Sequence, residues 1–408
     1  MPLLPTLTPT PPPTTSLDLA RLPAEAIDGL YVHVPFCFHK CHYCDFYSIT
    51  RQGPERMTRF VDLMLGEAAL WAARFGGSFH PRTVFFGGGT PTLLPQDEMR
   101  RLIVGLRDRL DLSLVDEWTV EANPATVTAD YCATLRAAGV DRLSFGAQSF
   151  NPADLKALER HHDPDDVPRS IDLARAARFD RLNVDLIYAI PGQSLNDFAD
   201  TLDRAIALNT RHVSCYGLTY EPNTPIAVKK RLGQMVPAEE SVELTMLRHA
   251  RATLAAAGLP AYEISNYAAA GQACRHNLMY WTGGSYAGLG PSAASHVAGH
   301  RWRNRPHLGE WEHALARDEL PAIEHEHLTP AQRAGELAML QLRLASGLEF
   351  APFEQTTGRD ARQLFAAPIA QLTRVGLLEL TPTALRLTDQ GLAVADAIAS
   401  EFLAASNG

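Results

Sequence analysis

Tyr31–Phe46 runs YVHVPFCFHKCHYCDF, an alternating strand-like lead-in followed by Cys37, Cys41 and Cys44 within eight residues. The other cysteines, Cys132, Cys215 and Cys274, lie far along the chain. Clustered cysteines in a reducing compartment point to metal rather than disulfides. The spacing is C-x3-C-x2-C. A structural zinc would need a fourth ligand from His39 or His42, and such sites usually use two separated cysteine pairs. A 4Fe–4S cluster is normally held by four cysteines, so three leave one iron open to a small molecule. Cys132 falls on a helical pattern and Cys215 in an apolar run, so both are expected to be core residues.

Outward from this loop, apolar runs alternate with amphipathic segments to about residue 220. The strand candidates are GLYVHV, RTVFFG, EWTVEA, DRLSFGA, RLNVDLIYAI and RHVSCYGLT. They are rich in Val, Ile, Phe and Tyr, as buried strands are. Between them DEMRRLIVGLRDRL, ADYCATLRAAG and SLNDFADTLDRAIALN carry apolar residues at helical spacing. Gly139 stands where a helix end calls for a left-handed residue. The alternation predicts an α/β fold with a parallel sheet. Six units are too few to close an eight-fold barrel, so an open, partial (β/α)6 barrel is expected. Such sheets place chemistry at the C-terminal ends of their strands. The Cys loop, GGGTP (Gly87–Pro91), Glu121, Gln148 and Asp185 all fall there.

After residue 220 the rhythm changes. A long helix, ESVELTMLRHARATLAAAG, precedes a predicted strand, AYEIS. From about 328 the order helix, helix, helix, hairpin, helix predicts a winged-helix-like unit. It carries few basic residues, and the net charge is −9, so docking or packing is expected of it and no nucleic acid. The expected organisation is a disordered Pro/Thr-rich leader (1–24), the barrel (25–225), a smaller α+β extension (226–327) and the C-terminal unit (328–408). No apolar run of about 18 residues exists to span a membrane. The start lacks a signal peptide's basic and apolar regions, so a cytoplasmic location is expected.

YVHVPFCFHKCHYCDF resembles the radical S-adenosylmethionine superfamily. The resemblance implies a cluster on Cys37, Cys41 and Cys44, with S-adenosylmethionine chelating the open iron. Gly88, Gly89 and Thr90 would then bring backbone N–H groups to its methionine part, since glycine permits close approach. Glu121 would hold the ribose, and Tyr43 and Tyr31 would belong to the same site. The competing readings are a plain strand-end turn, a rim salt bridge and loop packing.

From Tyr31 to about Gln390, GGGTP, EANP, SFGAQSF, NVDLIYAIPGQ and YGLTYEPNTP occur in order, as in the oxygen-independent coproporphyrinogen III oxidase-like group. The decarboxylating oxidases of that group carry a further Cys where this chain has Phe46. A heme-chaperone branch instead has CDF and a downstream H-N-x-x-Y-W, matched here by His276, Asn277, Tyr280 and Trp281. That branch implies heme as a ligand, delivered to recipient hemoproteins of the respiratory chain. Peripheral membrane association through recipients and a homodimer stay open, as does the choice between one and two bound S-adenosylmethionine molecules. Gln148, Arg160 and Asp185 match positions contacting S-adenosylmethionine in the oxidase; the alternative is a polar network lining the barrel. His161 and His162 are expected on a loop surface without a role.

The second motif has chemistry of its own. His276 and Tyr280 are one helical turn apart, as are Asn277 and Trp281, and Gly283 and Gly284 would end the turn. Histidine ligates heme iron, and flat aromatic rings pack on porphyrins. Arg275 would pair with a propionate, and Cys274 is a rival iron ligand. The competing reading of His276 is a packed, hydrogen-bonded side chain. The alternative functions are an oxygen-independent coproporphyrinogen III oxidase making protoporphyrinogen IX and a radical enzyme acting on another tetrapyrrole.

Overall fold

A computed structural model describes residues 26–405; the leader expected at 1–24 lies outside them. The six expected strands form as β1 (Gly29–Val34), β2 (Thr83–Gly88), β3 (Glu117–Ala122), β4 (Arg142–Gln148), β5 (Arg181–Tyr188) and β6 (His212–Gly217). Neighbours pair in parallel in chain order. Period-two alternation decides the faces. Leu30, Val32, Val34, Val84, Phe86, Val120 and Leu143 are fully buried beneath the outer helices. Tyr31, His33, Glu121, Ser144 and Asp185 take the concave face. The helix Pro54–Phe75 covers the first strands with Phe60, Val61, Met64 and Trp71. Gly139 follows the helix Ala129–Ala137 with φ of +97°, a conformation that costs other residues energy. Ser194 begins the helix Leu195–Ala207 with a capping box to Asp197.

The sheet does not stop at the barrel. β7 (Asn266–Ala268) pairs antiparallel with β6. β8 (Tyr286–Leu289) pairs parallel with β1, and β9 (Ala294–Val297), β10 (His300–Asn304) and β11 (Ala322–His327) continue antiparallel. The spatial order is β11-β10-β9-β8-β1-β2-β3-β4-β5-β6-β7, so the segment after residue 226 extends both edges of one sheet. AYEIS is not a strand. Tyr262 N–H reaches back to Asn266 O and the Glu263 carboxylate accepts from Ser265 N–H. The chain therefore turns within AYEIS, and the strand begins one residue later.

Toward the C-terminus, β12 (Leu348–Glu349), β13 (Leu378–Leu380) and β14 (Ala384–Leu387) make a small antiparallel sheet in the order β12-β14-β13. It has its own apolar core, with Leu337, Phe353, Phe365, Leu385 and Phe402. Among the described residues no helix is long and apolar enough to cross a membrane.

Glu67, on the first helix, ties the β8–β10 extension to the barrel. Its carboxylate is fully buried and accepts from Gly290 N–H at 2.9 Å, Trp311 Nε1–H at 2.8 Å and Asn304 Nδ2–H at 2.5 Å. Burial pushes its pKa up to about 7 against these bonds. Glu67→Ala should strand three buried donors and destabilise the fold by roughly 3 kcal/mol or more. Chemical denaturation measures this, and Glu67→Gln, which keeps an acceptor oxygen, should lose less.

Candidate functional site

The cysteine loop leaves β1 through Pro35 and is closed at its base. Ile49 N–H donates to Pro35 O at 2.7 Å and Cys37 N–H to Ile49 O at 2.9 Å. Gly89 N–H donates to Val34 O at 2.8 Å and Thr90 N–H to Phe36 O at 2.7 Å, which fixes the start of the loop on the end of β2. A Cβ on Gly89 would lie 2.7 Å from Phe36 O, so only glycine permits this approach. Gly88 has φ of +101° and its α-carbon lies against the His33 ring. His33 Nε2–H donates to Tyr47 O at 2.8 Å and Nδ1 accepts from Tyr31 O–H at 3.1 Å. Burial lowers the His33 pKa to about 4, so the ring is neutral. The N–H groups of GGGTP, expected at a ligand, are thus used within the protein: Gly88 N–H goes to the Glu121 carboxylate. The glycines remain on the cavity wall but serve to dock one loop on another.

Cys37 Sγ lies 3.8 Å from Thr90 Oγ1, and Arg160 Nη1–H faces Cys41 Sγ at 3.7 Å while its Nη2–H donates to Gly146 O at 2.6 Å. Burial pushes the Cys44 thiol up to about 11 and the Cys37 thiol in the same direction. Among the described residues the three sulfurs do not form a set of ligand atoms all within 4.8 Å of one another. Around one tetrahedral zinc, sulfurs bonded at about 2.3 Å would be about 3.8 Å apart. His42 Nδ1 lies 3.1 Å from Lys229 Nζ and is not turned to the thiols. His39 gathers with Glu159 and His161 instead.

The thiols stand at the mouth of a cavity of about 640 Å³. Tyr43, Gly88, Gly89, Thr90, Glu121, Gln148, Arg160 and Asp185 all line it. Gln148 has φ of +64° at a register shift in β4, local strain that turns it to the cavity. Asp185 accepts from Ser144 Oγ–H and Asn183 Nδ2–H, each at 2.8 Å. Burial raises its pKa, opposed by these bonds and by Arg160. Burial, then the Asp185 charge, pushes Glu121 up to about 8. Tyr31 sits half-buried on the concave face of β1 near Glu121, bonded to His33 and stacked on Phe85 with ring centres 6.4 Å apart. His161 is exposed as expected, but His162 turns inward and is 6% exposed. Ser144, Gly146 and Tyr216 also line the cavity. Their signal was the polar alternation along β4 and β6, with Ser144, Gly146 and Gln148 two apart and His212, Ser214 and Tyr216 likewise.

HNLMYW forms the helix Arg275–Trp281 as expected, but at the other end of the barrel. His276 is 1% exposed; Nδ1 pairs with Thr83 Oγ1 at 2.8 Å and Nε2 with Tyr280 Oη at 2.9 Å. Its ring stacks on Phe85 with centres 5.2 Å apart. Both nitrogens are engaged, so this conformation offers no axial ligand to heme iron, contrary to expectation. Cys274 gives its S–H to Glu117, and Arg275 pairs with Asp116 at 2.7 Å rather than standing free for a propionate. Thr83, Glu117 and Arg142 begin their strands, so the helix stoppers the N-terminal end of the barrel. Tyr280 faces a small cleft with Tyr286, Arg301 and Leu337. Trp281 lies under the Arg343 guanidinium at 5.9 Å, and Asn277 is half-buried.

Three thiols on the first loop of a partial barrel, above a cavity lined by strand ends, define the radical SAM class, and residues 31–205 match the Radical SAM superfamily. Residues 328–394 match the HemN C-terminal domain. The solved structure of coproporphyrinogen III oxidase (HemN) from Escherichia coli, a radical SAM enzyme, shares this fold. Its TM-score is 0.82 at 24% identity, covering 94% of this chain and 92% of that one. The heme chaperone HemW of Mycobacterium tuberculosis is 36% identical over 388 residues, 94% of this chain and 97% of its own length. That of Bacillus subtilis is 32% identical over 374 residues, 91% of this chain and 98% of its own. The chain belongs to the HemW family.

Glu121 supplies a test of the cavity's electrostatics. Its folded pKa of about 8 lies above the ordinary 4.5, so its contribution to stability is fullest below 4.5 and is lost as pH rises toward 8. Glu121→Gln cannot ionise. In ligand-free protein it should therefore flatten the fall of melting temperature across that window; parallel curves would show that Glu121 is not held protonated.

Proposed function

We propose that this protein is a cytoplasmic heme chaperone that takes up heme and passes it to recipient hemoproteins, with a 4Fe–4S cluster on Cys37, Cys41 and Cys44 and S-adenosylmethionine beside it. The observation that carries the reading is the near-full-length similarity to proteins named heme chaperones. Phe46 supports it: where the decarboxylating oxidases have a further thiol, this chain has a ring that is 67% exposed. When bound, the cluster would supply an open iron and one-electron chemistry. The chain's own residues do the rest. The pinned loop holds the thiols at the cavity mouth, and Arg160 sets a positive charge beside Cys41. Glu121 and Asp185 give two acceptors deep enough to be screened from water, suited to the hydroxyl and ammonium groups of S-adenosylmethionine.

His276 takes the role of a structural keystone in this proposal. His276→Ala should destabilise the fold by about 2 kcal/mol or more, since Thr83 and Tyr280 lose a buried partner. The Soret band of bound heme should not move in protein that stays folded. A shifted band at unchanged stability would return the residue to the heme site.

The deciding experiment incubates anaerobically reconstituted protein with heme, with an apo-hemoprotein as acceptor, and separately with coproporphyrinogen III plus reductant and S-adenosylmethionine. Heme should bind and transfer, and no protoporphyrinogen IX should form; product over many turnovers would overturn the proposal in favour of the oxidase. Replacing all three loop cysteines by Ala should abolish iron incorporation while Cys132→Ala and Cys215→Ala leave it intact.

A further inference from the structure

Beside the cysteines, on the lining of the same cavity, three other metal-capable side chains converge. His39 sits in the cysteine loop between Cys37 and Cys41. Glu159 and His161 flank Arg160 on the loop after the helix Pro152–Ala157. Each of the three offers one ligand atom, and these atoms all lie within 4.8 Å of one another. The His39 and His161 rings meet edge to face with centres 4.4 Å apart, and His161 Nε2 lies 4.0 Å from Glu159 Oε2. A second observation is independent of this proximity. The Nε2 atom of His39 is buried and has no hydrogen-bond partner among the described residues, an uncompensated cost in a folded protein. Its ring cannot be explained as a packed, bonded histidine in the way that His276 can.

We propose that His39, Glu159 and His161 form a binding site for a divalent transition-metal ion of the zinc class, separate from the cysteine site. Two imidazoles and one carboxylate are a donor set that such ions favour, and a protein supplying three ligands leaves a coordination position for water. Convergence on one point selects a bare ion over heme iron, because a porphyrin already fills four positions around its iron and leaves only two opposite ones. His161 is exposed on its loop, so its ring turns freely to open the tight pairing around an ion. Glu159 has φ of +53°, a conformation that costs a residue with a Cβ energy and persists where the surroundings demand it. The ion would join the tip of the cysteine loop to the segment that carries Arg160. It would thereby lock the two walls of the cavity mouth to each other, holding Arg160 against Cys41 and Gly146.

The test uses untagged full-length protein in its cluster-loaded form, so that the thiols are occupied, and titrates it with Co²⁺ alone. In the difference spectrum against the same cluster-loaded protein without cobalt, wild type should take up one Co²⁺ with weak visible ligand-field bands and no added sulfur-to-cobalt charge transfer in the near ultraviolet. His161→Ala and Glu159→Gln should each weaken that binding by at least about tenfold and leave the iron content per chain unchanged. His39 lies in the cluster loop, so its variant is read instead in protein with all three loop cysteines changed to Ser. There the Co²⁺ signal should persist with His39 present and vanish with His39→Ala. The proposal fails if wild type takes up no Co²⁺, if the exposed-loop variants bind it as tightly as wild type, or if the bound ion shows thiolate charge transfer.

Discussion

The arrangement depends on two backbone hydrogen bonds. Gly89 and Thr90 give their N–H groups to the carbonyls of Val34 and Phe36. A three-cysteine loop on its own would be a floppy excursion from β1, and its thiols would have no fixed aim. Because the end of β2 has no side chain at Gly89, the two chain segments come within hydrogen-bonding distance and the loop inherits the rigidity of the sheet. The His33 ring, held neutral between Tyr31 and Tyr47, fills the space that the Gly88 α-carbon leaves. The sheet therefore positions the cysteines through glycines that let one loop dock on another.

The cavity's charge balance follows from its depth. Two half-buried carboxylates, Glu121 and Asp185, share the cavity lining with the guanidinium of Arg160. Burial disfavours ionisation of both acids, and each further charge penalises the other. A ligand that brings a positive charge into this space relieves that penalty, whereas an anionic one adds to it. The same low dielectric keeps the Cys37 and Cys44 thiols protonated until a metal replaces the protons.

Much of this was legible in the chain. The six strands formed at the runs rich in Val, Ile, Phe and Tyr, because the face beneath the outer helices must be apolar to be buried. Cys37, Cys41, Cys44, Glu121, Gln148, Arg160 and Asp185 converged because strand ends are where a barrel gathers its loops. Tyr31 sits two residues before His33 on the same face, and spacing alone does not show that its hydroxyl is taken by the His33 ring. The surroundings of His276 were hidden for a similar reason. Helical spacing pairs it correctly with Tyr280, but nothing local tells that Thr83, nearly two hundred residues earlier, takes its other nitrogen. AYEIS had the composition of a strand, yet the side chain of Glu263 captured a nearby backbone N–H and bent it.

The stopper at the base of the barrel makes the cavity a cul-de-sac. Thr83, Glu117, Arg142 and His276 are all buried there, so nothing passes through from below. A ligand of this cavity would therefore enter and leave by the side of the cysteine loop, and a molecule docked over that loop would slow its departure.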